Sequence, residues 1–153
     1  TQGVSSAASD VYKRQLITGC SKTNDVTGDY IVVGHAGGFI GPGTMSPYYR
    51  LTSSELRKDT IYYSTPPKNV SDFHFDHLLP AADHDSLVYL LSSIPVELYG
   101  RNNEDMGTTW PDYGYTDVRA QINGRLFHWT FEADLSSYSA AIVQFATKVG
   151  RIH

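Results

Sequence analysis

A chain of 153 residues with 41% hydrophobic content is long enough to bury one core, so a single domain is expected. Acidic residues outnumber basic ones 16 to 12, and after position 20 the longest basic run is Arg57-Lys58, which excludes a nucleic-acid footprint. A single cysteine excludes an internal disulfide framework and a multi-cysteine zinc site, while 11 tyrosines and 13 glycines suit short strands and turns.

The N-terminal segment divides into three. Residues 5–15, Ser-Ser-Ala-Ala-Ser-Asp-Val-Tyr-Lys-Arg-Gln, resemble the in-frame translation of a sequencing-library adapter, so residues 1–15 are read as non-native and set aside before fold reasoning. Leu16-Ile17-Thr18-Gly19 followed by Cys20 resembles the end of a lipoprotein signal peptide, with small residues ahead of the cysteine that takes diacylglycerol. Residues 16–19 are then the remnant of that signal, residues 20–27 a lipidated tether, and residues 28–153 one folded domain. The plainer alternative is a chance Gly-Cys in a cytosolic chain.

Gly28 to His35 is a β-branched and aromatic run, followed by the glycine-rich turn Gly37-Gly38-Phe39-Ile40-Gly41-Pro42-Gly43. Tyr48 to Leu51 and Leu56 to Tyr63 also read as strands, and the four polar residues between them close a hairpin. Pro66-Pro67 ends the third strand, and residues 64–81 form an irregular crossover. Asp83 is a suitable N-cap for a helix over about 84–94, where Leu87, Leu90, Leu91 and Ile94 share one face and Pro95 forces a stop. Residues 100–112 show neither period and read as an exposed polar loop. The clearest local signal is Asn123-Gly124 between the alternating runs Tyr115 to Ile122 and Arg125 to Glu132, the pattern of a type I′ hairpin. Its alternation places Val118, Ala120, Ile122, Phe127, Trp129 and Phe131 on a core face, with Asp117, Arg119, Gln121 and His128 toward solvent. Tyr138, Ile142, Phe145 and Val149 then recur at helical spacing, so a second helix over 135–149, capped by Asp134, covers the aromatic face. The expected class is α+β: an antiparallel sheet of about four to five strands packed on two helices.

Candidate chemistry is sparse. Asp72, His74, Asp76, His77, Asp83, His84 and Asp85 supply ligand types that suit zinc, with His74, Asp76, His77 and His84 the weak metal candidates. No His-Glu-x-x-His frame accompanies them, and a solvated loop is the plainer reading. The glycine-rich turn lacks the Lys-Ser/Thr and the following helix of a phosphate cradle, and no serine lies in a Gly-x-Ser-x-Gly elbow. His128 shares its strand face with Glu132 and reads as a surface histidine. No catalytic residue and no cofactor is expected.

The order strand, Gly37-Gly38-Phe39 turn, strand, helix with Leu87, Leu90 and Leu91, hairpin through Asp112, Tyr115, Gly124 and His128, and closing helix resembles emfourin, a small metalloprotease-inhibitor domain. The resemblance covers about residues 30–149 and implies protease binding by the loop that contains Gly37, Gly38 and Phe39. More broadly, the chain resembles small Gram-negative envelope lipoproteins. The expected function is a non-catalytic cell-envelope lipoprotein that binds an exported protein or peptide, held to the outer or inner membrane by the Cys20 lipid. The alternatives are an emfourin-like protease inhibitor and a metal-binding or hydrolytic protein built on residues 72–85.

Overall fold

The computed structural model describes residues 28–37, 46–63, 65–108 and 114–152. The segments 1–15, 16–19 and 20–27 lie outside the described residues. The described residues are α+β, the class expected from the order of strand-like and helical segments.

Among the described residues seven strands form one sheet. They are β1 (Tyr30–Ala36), β2 (Tyr49–Thr52), β3 (Leu56–Lys58), β4 (His77–Leu78), β5 (Glu104–Met106), β6 (Tyr115–Ile122) and β7 (Arg125–Phe131), in the order β4-β3-β2-β1-β6-β7-β5. The β1, β2 and β3 segments pair antiparallel, and the turn between β2 and β3 closes where Thr52 N donates to Glu55 O at 2.9 Å. β6 and β7 pair antiparallel from Thr116 opposite Phe131 to Ile122 opposite Arg125. Asn123 (φ 51°) and Gly124 (φ 74°) both take the left-handed backbone that a type I′ turn requires.

The expected sheet was too small and too uniform. Glu104–Met106, read as exposed loop, forms β5 and runs parallel to β7. Only its Met106 is buried, so three residues carry no alternating pattern from which a strand could be recognised. The third strand stops at Lys58 rather than Tyr63, because Asp59 turns its carboxylate back onto the chain.

Two α-helices accompany the sheet among the described residues. The first, α1 (Ala81–Leu87), runs into a 3₁₀ turn, Val88–Ser92, so the element ends before Pro95 as expected but begins earlier than 84. Asp83 is not its cap. The helix starts from Pro80, whose carbonyl accepts from Asp83 N and His84 N, and Asp83 sits in the first turn, where a carboxylate suits the helix dipole. The second, α2 (Ala140–Val149), starts five residues later than expected. Ser139 caps it by accepting from Ile142 N, whereas the Asp134 carboxylate binds Ser136 N at 2.9 Å in a preceding turn.

One sheet face holds the larger core. Ile31, Val33, Leu51, Val118, Phe127, Trp129 and Phe131 meet Leu90, Ile94 and Leu98 on one side and Ile142, Phe145 and Val149 of α2 on the other. Trp129 is fully buried, stacks on Phe127 at 5.5 Å and donates its indole N–H to Leu98 O at 3.0 Å. Each such side chain contributes about 1.5–3 kcal/mol through removal from water.

The opposite face does not simply meet solvent. The crossover folds back over its β1–β2 half, where Phe73 and Phe75 join Tyr30, Val32 and Tyr48 in a second core with Tyr63 and Val70 packed against it. Asp59, fully buried, pins this cover by accepting from Ile61 N (2.8 Å), Tyr63 Oη (2.9 Å) and His74 N (2.7 Å). Three donors meet the demand of a buried carboxylate and hold an otherwise irregular segment in one conformation.

Candidate functional site

The crossover covers only part of the second sheet face. Over β6 and β7 it leaves two adjoining cavities, of about 490 Å³ and 320 Å³, that share Lys68, Arg119 and His128 in their walls. Strand register builds the floor: Arg119 lies opposite His128 and Gln121 opposite Leu126, and directly opposed residues of an antiparallel pair project to the same face. Lys68, Asn69, Val70 and Ser71 form one wall of the larger cavity, and Asn102 and Asn103 line it as well. Leu126, 63% exposed, supplies apolar surface there.

A network centred on Asp117 underlies the smaller cavity. The carboxylate is 1% exposed and accepts from Tyr48 Oη (2.9 Å), Arg119 Nη2 (3.0 Å) and His128 Nε2 (2.7 Å). Burial by itself would raise the Asp117 pKa. The hydrogen bond from His128 and the charge and hydrogen bond of Arg119 outweigh it and hold the carboxyl below its ordinary range. An ionised carboxylate only accepts, so His128 must carry its proton on Nε2. Burial and the neighbouring carboxylate push the Tyr48 hydroxyl up, which keeps it a donor. Tyr48 reaches Asp117 because β1 has a glycine at 34; a Cβ there would lie 2.5 Å from the Tyr48 ring.

Arg119 ties this network to the cavity wall. Its Nη1 donates to the carbonyls of Pro67 and Lys68, and its guanidinium lies 5.1 Å from the centre of the Phe73 ring. The side chain is thus clamped between sheet, crossover and carboxylate, and it fixes the backbone from which Lys68 projects. Asn102 mimics a further stretch of strand, its side chain accepting from His128 N and donating to Leu126 O.

The residues singled out from sequence are distributed otherwise. Cys20, Gly38 and Phe39 lie outside the described residues. Gly37 is described; its φ of 73° and the Tyr115 ring, 2.8 Å from where a Cβ would stand, both require glycine. His74 and His77 are exposed, and Asp76 accepts from the Thr60 hydroxyl. His84 is held by Thr52 O and the Asp85 carboxylate, each at 3.1 Å. Among the described residues no three His, Cys, Asp or Glu side chains converge to hold a metal ion. His128, expected to be a plain surface histidine, has a partly exposed side chain, but one ring nitrogen is committed to a buried aspartate.

Sequence reasoning missed Asp117, Arg119 and Tyr48 as a unit. Charged residues at 117 and 119 in a strand otherwise read as half core were the available signal, since a carboxylate and a guanidinium two apart share a strand face. No protein-family model, curated protein or solved structure matches this chain.

Proposed function

We propose that this chain is a non-catalytic envelope protein, anchored through lipid on Cys20, that binds an extended peptide segment of an exported partner in the groove over β6 and β7. The observation that supports the binding reading most is the groove itself. It joins exposed apolar surface at Leu126 to polar walls whose backbone is clamped by Arg119 and Asn102. Walls held in advance lose little conformational freedom when a ligand binds, which favours affinity. Amide side chains of Asn103 and Gln121 beside the exposed apolar surface of Leu126 suit a main chain that offers both donors and acceptors. Anchorage is a separate proposition that rests on the residues around Cys20. No helix among the described residues is long and apolar enough to cross a membrane.

The binding reading is tested by selecting hexapeptides from a display library on the wild-type chain and measuring them against two variants. Leu126→Arg is expected to lower affinity at least tenfold, and Val96→Arg, exposed and outside the cavity lining, to leave it unchanged. Equal binding by all three proteins would place the contact elsewhere and refute the groove. Anchorage is tested by expressing the chain behind a complete lipoprotein signal and comparing intact mass with that of Cys20→Ala. A lipid-sized increment that depends on Cys20 is expected; its absence removes the anchor.

A further inference from the structure

We infer that the groove prefers an acidic peptide, with Lys68 as the cation that meets a ligand carboxylate. This rests on the groove being the binding site. In a chain with more acidic than basic residues, the lining of the two cavities has the opposite balance. Lys68 and Arg119 carry positive charge there, and among the described residues the sole carboxylate in the lining is Asp117, which is buried and already accepts from three donors.

Lys68 differs from an ordinary surface lysine in how it is presented. Its carbonyl and that of Pro67 are both held by Arg119, so the backbone from which its side chain leaves is fixed relative to the sheet. Its ammonium has no ion-pair or hydrogen-bond partner among the described residues, although the side chain borders both cavities. Arg119 cannot serve directly, because it is 8% exposed and occupied by Asp117 and two carbonyls. It acts as a positioning residue, its own charge balanced by the Asp117 carboxylate, so the net positive charge of the lining resides on Lys68. An ammonium on a fixed backbone, with no ion-pair partner among the described residues, is complementary to an anionic ligand group. A partly exposed ion pair of this kind supplies selectivity of several-fold rather than several orders of magnitude.

The test compares two pools of N-acetylated, C-amidated hexapeptides, one with glutamate and one with glutamine at the two central positions. Binding to the full 153-residue chain is followed by fluorescence anisotropy. The glutamate pool is expected to bind about fivefold more tightly, with the difference shrinking as salt is raised and vanishing in Lys68→Ala. Lys68→Arg should restore it, and because Lys68 is exposed neither variant should shift the thermal midpoint. Equal affinity for both pools overturns the acidic preference and leaves the groove reading standing. Failure of both pools to bind removes both. Lys68-dependent binding to vesicles of anionic phospholipid with no binding of either pool would make the ligand a membrane surface and overturn the inference in that way.

Discussion

Replacement of Asp117 by alanine tests whether the polar network is a structural keystone. The substitution removes the acceptor shared by Tyr48, Arg119 and His128 and leaves the Arg119 guanidinium, 8% exposed, without its counter-charge. Arg119 Nε already lacks a hydrogen-bond partner among the described residues, so relief from within the site is small. Breaking a buried pair by deleting one member costs about 3–5 kcal/mol, a large share of the 5–15 kcal/mol that holds a typical domain. Tyr48→Phe removes one of the three donors and should cost about 1 kcal/mol, because the carboxylate keeps the other two. Urea unfolding at pH 7 separates the two: with a slope of about 2 kcal/mol/M, Asp117→Ala lowers the midpoint by about 2 M and Tyr48→Phe by about 0.5 M. The pH dependence has a fixed sign. The folded-state pKa of Asp117 is depressed, so its contribution is complete above the ordinary aspartate value near 4 and is lost as pH falls through the lower folded value. The stability difference between wild type and Asp117→Ala should therefore shrink as pH falls through that lowered folded value. A loss under about 1 kcal/mol at pH 7, or equal costs for the two variants, would refute the network as described.

Gly34→Ala should destabilise by about 1–3 kcal/mol in urea, because the added methyl overlaps the Tyr48 ring and displaces its hydroxyl from Asp117. Ser139→Ala removes the cap of α2 and should cost about 1 kcal/mol, read as a lower thermal midpoint with unchanged tertiary circular dichroism. Excess zinc should leave the midpoint within error of the metal-free value, since His74, His77 and His84 do not converge; a saturable rise would restore the metal reading of residues 72–85.

Where neighbours in the sequence decide the outcome, the chain could be read directly. Asn123-Gly124 dictates a turn with two left-handed residues, and the alternation around it settles which side chains face the aromatic core. The Leu87, Leu90, Leu91 spacing and Pro95 likewise announce a helical element and its end. Helix starts were less legible, because Pro80 and Ser139 competed with Asp83 and Asp134, and only the partners of each carboxylate distinguish a cap from a turn. β5 and the cover over the second sheet face were not legible at all. Three residues of β5 acquire strand form from β7, and Phe73 and Phe75 become core because Asp59 gathers backbone donors up to 15 positions away. The candidate site belongs to this second kind. Asp117 lies 69 positions from Tyr48 and 11 from His128, and Arg119 lies 52 from Pro67. Sequence spacing carries no distance information over such intervals, so the packing of the crossover onto the sheet alone decides that these groups meet, and that a groove remains beside them.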